Sequence, residues 1–202
     1  MPKNSQEPSN QSWNPGTLMA AATVMNPAFL TADNLLGILA QNSARGILAL
    51  GATFVLMTGG IDLAAENGLT MIAVVASVSH IMTGENLFVL FAGCLVLGVV
   101  LGCVNGLLIT RLRLLPFVAT LAMMSIAQGI TLFASEGKIM FLNHPVTVFI
   151  GSGKLFHIIP MPVVIFVGMC VVAHVLLNKT KMGTAVYALG GNKEAAEYSV
   201  FT

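Results

Sequence analysis

Charge is scarce in this chain. Nine Lys and Arg and eight Asp and Glu serve 202 residues, 8% of the sequence. A soluble domain carries charge at about a quarter of its positions, so a largely water-facing surface is excluded. The two signs nearly cancel, to a formal +1, which leaves no basic field to hold a nucleic acid. Cysteine is equally sparse: Cys94, Cys103 and Cys170 each lie inside an apolar run. No CxxC or mixed Cys/His spacing occurs, which argues against a disulfide framework and a metal site. The four histidines, His80, His144, His157 and His174, form no i, i+4 pair and no HExxH, so zinc lacks its usual ligand spacing. No GxSxG elbow is present. Gly151-Ser-Gly-Lys154 imitates a phosphate loop, but Val148 and Leu155 stand where that motif needs a glycine and a hydroxyl. It reads as a turn. No catalytic residue, metal or cofactor is expected, and neither is an enzyme.

What the chain has is apolar length. Hydrophobic residues make up 56% of it, and the mean hydropathy is +0.87. About 20 apolar residues cross a bilayer core as a helix. Clean windows run from Asn86 to Ile109, Leu114 to Ser135 and Ile158 to Leu177. Leu35 to Gly60 is interrupted by Gln41, Asn42, Ser43 and Arg45. Gly68 to Met82 is short, and Gly16 to Leu30 is weak and holds Asn26-Pro27. The expectation is an all-α, polytopic transmembrane bundle of about six segments. Residues 1–15 are polar and read as a disordered tail. Lys3 alone makes a poor signal-peptide n-region, so residues 16–202 read as one membrane domain.

Basic residues set the orientation. Arg111 and Arg113 lie in a tight link between two spans, and Lys179 and Lys181 follow the last span. Spans alternate, so both sites fall on one side, the cytoplasm. Glu136 to His157 then lies outside. The residues around Asp62 fall near the cytoplasmic side, or at depth if that segment is a broken helix.

Three features stand out from the apolar background. Gly98, Gly102 and Gly106 recur at every fourth position and share a helix face, which suits close helix packing, internal or against a second copy. Arg45 lies within an apolar run, where charge is costly and faces protein or water. Either it lines a path or it ends a surface helix, Asn34 to Arg45, ahead of the true span. Gly59-Gly60 stops a helix, after which Asp62 caps the next one and Glu66 occupies its first turn, where the helix dipole favours an acid. A role in gating or in a translocation path is the rival reading of the two carboxylates. Arg45, Glu66 and Asn105 are the candidates for lining such a path.

Four stretches carry a family resemblance. ILALGATFVLMTGGIDLA, Ile47 to Ala64, resembles a signature of the permeases of bacterial ABC importers of the ribose class. GCVNGLLITRLRLLPFVATLAMMSIAQGI, IGSGKLFHIIPMPVVI and NKTKMGTAVYALGGNKEAAEYS follow in the family's order. The resemblance implies a multi-pass inner-membrane subunit that takes a monosaccharide from a periplasmic binding protein and pairs with a second permease copy. A cytoplasmic ATPase drives the cycle, and the permease itself binds no ATP. It implies that Gly190, Gly191, Asn192, Glu194, Ala195 and Ala196 contact that ATPase, within a cytoplasmic loop over residues 183–199. Two glycines before Glu-Ala-Ala suit a turn leading into a short helix. It specifies the class rather than one sugar.

The chain departs from the pattern in places. Ala64-Ala65-Glu66-Asn67 replaces Ser-Val-Gly-Ser, Glu197 replaces an arginine and Val200 a glycine. The family continues past this loop, so the chain reads as a permease shortened at its C-terminal side. The rival functions are an ion-coupled secondary transporter using Asp62, Glu66 or Arg45, and a permease fragment that transports nothing.

Overall fold

The computed structural model of the protein describes residues 14–84 and 86–191. The expected disordered tail falls mostly outside them. Its last two residues, Asn14 and Pro15, instead start a helix, with the Asn14 side chain accepting from the Gly16 N–H. That helix, α1 (Pro15–Met25), ends at Asn26, and a 3₁₀ turn over Pro27–Leu30 follows. The weak first window is thus split by Asn26-Pro27, because proline starts a helical turn but cannot continue the preceding one.

Seven further α-helices and a small hairpin complete the described chain: α2 (Ala32–Met57), α3 (Ala65–Thr83), α4 (Leu87–Thr110), α5 (Pro116–Ser135), α6 (Pro145–Ser152), β1 (Lys154–Leu155), β2 (Ile159–Pro160), α7 (Met161–Lys179) and α8 (Lys181–Gly191). Helices α2, α4, α5 and α7 are long and apolar enough to cross a membrane. Helix α3 matches α7 in length but carries Glu66, Asn67, Thr70, Ser77 and His80. Helix α1 is an 11-residue apolar helix. The expected all-α membrane bundle is therefore present, with four of the six windows meeting the spanning criterion.

The helices fall into two packed groups. In one, α3 lies along α5 with α4 beside both; in the other, α2 lies along α7 with α8 across its end. The first group holds most of the buried core. Met71 and Ser77 of α3 and Ala119, Thr120, Met123 and Ala127 of α5 are all buried, Ala127 wholly. Residues 119, 123 and 127 lie four apart on one face, so two alanines bring the α3 and α5 backbones together. In the second group α2 and α7 meet at Gly46, where a Cβ would lie 2.6 Å from the Phe166 ring. Large apolar residues such as Leu95, Val99, Phe133 and Val171 are exposed on the outer faces. Lipid is as apolar as they are, so exposure there carries no hydrophobic penalty.

Contacts at the helix ends order the bundle vertically. Lys154 of β1 approaches Asp33 of α2 at 3.6 Å, so the N-terminal ends of α2 and α7 share one face. His80, in the last turn of α3, meets His144 edge-on with ring centroids 6.0 Å apart, so α3 ends on that same face. The links carrying Arg111, Arg113, Lys179 and Lys181 gather at the opposite face, which the positive-inside rule makes cytoplasmic. The α7–α8 corner there is tight: a Cβ at Gly183 would collide with the carbonyl oxygens of Leu177 and Leu176.

The alanine seam and the glycine stripe differ in tolerance. Nothing lies within 4 Å of a Cβ at Gly106, whereas Ala127 has no exposed surface. Ala127→Leu should lower stability by about 1–3 kcal/mol through overpacking, while Gly106→Ala should leave it unchanged or raise it slightly. Thermal unfolding of both variants in one detergent checks this.

Candidate functional site

The segment between α2 and α3 leaves the helical ladder, so its hydrogen bonds are the first question. Gly59 donates to the Leu56 carbonyl and Gly60 to the Val55 carbonyl, both at 3.0 Å. That is a Schellman closure, which requires the left-handed conformation at its first residue beyond the cap. Gly59 supplies it, at φ +80°. Thr58 adds its hydroxyl, donating to the Val55 carbonyl at 2.8 Å. Gly59 and Gly60 thus form the helix break that the sequence suggests.

Asp62 acts differently from expectation. Its Oδ1 accepts the Ala64 N–H at 2.8 Å, closing an Asx turn ahead of the helix. The cap position itself falls to Ala64, which has no side-chain cap bond and is 5% exposed. The helix starts later than a cap at Asp62 requires, because Asp62 spends its acceptor on the turn. Glu66 does lie in the first turn of α3, with its side chain exposed.

Helix α5 anchors this broken stretch. The Thr120 hydroxyl lies 3.2 Å from the Ile61 carbonyl and 2.8 Å from that of Pro116. Asn67 donates from Nδ2 to the Met124 carbonyl at 3.4 Å. Residues 120 and 124 lie one and two turns into α5, about 6–12 Å from its cytoplasmic end at 1.5 Å per residue. The break therefore sits about one helical turn in from the cytoplasmic end of α5. The two α5 contacts escape sequence reasoning, since a threonine one turn after a proline has no mark of its own in an apolar run.

A cleft of about 250 Å³ opens beside the break. Asp62, Ala64, Ala65 and Gly68 form one wall; Gly98, Gly102 and Asn105 of α4 form another; Leu48 and Met123 contribute from α2 and α5. The structure thus gathers Asp62, Asn105 and two of the three stripe glycines at one place. A Cβ at Gly98 would meet Ile72 of α3 at 3.7 Å, but one at Gly102 or Gly106 would meet nothing within 4 Å. Only the upper end of the stripe packs internally; Gly102 faces open space. The Asn105 Oδ1 is buried and has no hydrogen-bond partner.

Other sequence candidates lie elsewhere. Arg45 sits near the middle of α2, which is continuous from Ala32 to Met57. The alternative of a surface helix ending at Arg45 is therefore overturned: Gln41, Asn42 and Ser43 do not interrupt the helix, and Asn42 and Ser43 turn their side chains back onto the Ile38 and Leu39 carbonyls. Arg45 is exposed and does not join the cleft. Gly190 and Gly191 form the last residues of α8 rather than a free turn. Gly190 is required sterically, since a Cβ there would collide with the Met57 carbonyl oxygen at the end of α2. Asn192, Glu194, Ala195 and Ala196 lie outside the described residues. Among the described residues no cluster of three or more His, Cys, Asp and Glu is placed to hold a metal.

Replacing Asp62 separates its two properties. Asp62→Asn keeps the oxygen that accepts from Ala64 and should retain wild-type stability, whereas Asp62→Ala should cost about 1 kcal/mol for the lost bond. Denaturation of the two variants side by side measures the difference.

Comparison with known proteins agrees with this architecture. Residues 34–200 match the family described as branched-chain amino acid transport system / permease component. The chain is 33% identical to the ribose import permease protein of Haemophilus influenzae, over 90% of this chain and 57% of the relative. Identity to the ribose import permease protein of Bacillus subtilis is 37%, over 89% and 56%. Identity to the L-arabinose ABC transporter permease protein of Azospirillum brasilense is 35%, over 89% and 52%. The chain thus spans just over half the length of these relatives. No solved structure matches it significantly. With most of its length, the break and the cleft included, inside the matched region, the chain belongs to the family of the branched-chain amino acid transport system / permease component.

Proposed function

We propose that the chain is a membrane-spanning permease subunit of an ATP-driven importer for ribose or a related monosaccharide, seated in a bacterial inner membrane. The observation that carries this is the match, along nearly the whole chain, to relatives named as ribose import permeases. In this reading the chain performs no chemical step. It receives sugar from a periplasmic binding protein, offers a path across the bilayer with a second permease copy, and is driven by a cytoplasmic ATPase through the segment that begins at Gly190 and Gly191.

Two features support the reading physically. Asn42, Arg45, Ala49 and Thr53 lie along one exposed face of α2. A guanidinium at mid-span faces protein or water, not lipid, so this face suits a path or a second copy. At the cytoplasmic end, Gly190 of α8 rests against the Met57 carbonyl, two residues before Gly59. Movement of α8 is thereby delivered to the end of α2, next to the break. Alternating access would follow from such a shift of α2 against the α3–α5 group.

The test is complementation of a strain lacking its ribose permease, with the ATPase and binding protein supplied. Labelled ribose should enter, and uptake should cease when the ATPase is inactivated. Uptake that persists without the ATPase and follows a proton or sodium gradient rejects the importer. Absence of uptake with the protein present in the membrane rejects a working subunit in favour of an assembly piece.

A further inference from the structure

We propose that the link between α4 and α5, Arg111 to Leu115, is a binding site for an anionic phospholipid of the cytoplasmic leaflet. Such a site goes beyond transport and needs no importer cycle: the charge, exposure and depth of the link point to it.

Charge is handled differently at the two faces of the bundle. At the outer face both lysines have a carboxylate, Lys138 meeting Glu136 at 2.6 Å and Lys154 meeting Asp33 at 3.6 Å. At the cytoplasmic face Arg111 and Arg113 are exposed, and neither guanidinium has an ion pair or a side-chain hydrogen bond among the described residues. Asp62 and Glu66 are the described acids on that side, and neither pairs with them. Arginine stays charged at any pH a cell meets, so the link holds two fixed cations with their N–H donors unspent.

The helices set the depth of these cations. Helix α5 has 20 residues, about 30 Å at 1.5 Å per residue, which matches the hydrocarbon core with nothing to spare. Its first residue, Pro116, therefore lies at the edge of the core, and the link lies just beyond it, level with lipid glycerol and phosphate. Leucines alternate with the arginines there: Leu112, Leu114 and Leu115 are 65%, 40% and 71% exposed. In water that surface is unfavourable, whereas against acyl chains it costs nothing. Arg113 itself has φ +54°, a conformation that glycine takes freely and other residues at a cost. Glycine would close the same turn, so what the arginine adds is its side chain.

The occupant follows from that combination. A phosphate oxygen pair matches the guanidinium fork, and the acyl chains of the same molecule cover the leucines. A free phosphate would take the arginines and leave the leucines in water. A zwitterionic headgroup brings an ammonium that opposes the guanidiniums. A phospholipid of net negative charge answers both the cations and the apolar surface.

Native mass spectrometry of the purified full chain, released from detergent micelles titrated with phosphatidylglycerol or with phosphatidylcholine, tests the site. The wild type should prefer phosphatidylglycerol by about 25-fold, about fivefold for each arginine beside an anionic headgroup. Arg111→Gln combined with Arg113→Gly should bring the two lipids near parity. Both side chains are exposed and glycine suits the backbone at 113, so this variant should fold as the wild type does. Lys179→Gln combined with Lys181→Gln removes the same charge from the same face and should keep most of the preference. Excess glycerol phosphate, the headgroup without its chains, should displace little lipid. Equal retention of the two lipids by the wild type overturns the site. Loss of preference in the lysine variant as large as in the arginine variant also overturns it, by showing a diffuse surface charge, and so does displacement by glycerol phosphate, by showing a simple anion site. None of these outcomes touches the importer reading, which is measured by sugar uptake.

Discussion

The structure turns on one requirement: in hydrocarbon, every backbone N–H and C=O must find its partner inside the protein. Helices meet it by themselves. The stretch from Thr58 to Ala64 does not, and Thr58, Asp62 and Thr120 are spent on it. Gly59 and Gly60 fold the chain back onto the last carbonyls of α2. Asp62 takes the Ala64 N–H. Thr120 reaches from α5 toward the Ile61 carbonyl. The break holds its shape because a neighbouring helix and its own side chains pair the backbone groups that the helices leave open.

This explains why packing is uneven. Helix α3 lies tightly on α5 along Ala119, Met123 and Ala127, since α5 must hold the break in register. Helix α4 lies more loosely, and its glycine stripe leaves a gap where a close contact was equally open on sequence grounds. The glycines at 102 and 106 meet no protein within 4 Å of a Cβ. Small residues therefore do two jobs here: Ala119 and Ala127 of α5, like Gly46, Gly183 and Gly190, allow close approach, while Gly102 and Gly106 of α4 keep a space clear.

The bundle and the break were legible in the sequence for a simple reason: length of apolar run and a Gly-Gly pair are local signals. The continuity of α2 through Gln41 to Arg45 was not, because polarity in a run interrupts hydropathy without interrupting a helix. The boundary of α3 was misplaced for a related cause. Asp62 has the right chemistry for a cap, and only the geometry shows its oxygen already engaged two residues on. That Asn105 and Asp62 line one cleft depends on how α3 and α4 pack, and no spacing along one chain encodes it. Gly190 and Gly191 read as a turn because glycine is the usual helix stop, whereas here Gly190 belongs to a helix whose neighbour leaves no room for a side chain.

That last contact has a directional consequence. Gly190 and Met57 touch through bare backbone surfaces, and touching surfaces resist compression but not separation. A contact of this kind behaves as a stop rather than a hinge. It passes on a thrust of α8 toward α2 at once, and it exerts no pull when α8 withdraws. In the proposed importer cycle the return of α2 would then come from elsewhere in the bundle, and its long seam with α7, closed at Gly46 and Phe166, lies nearest.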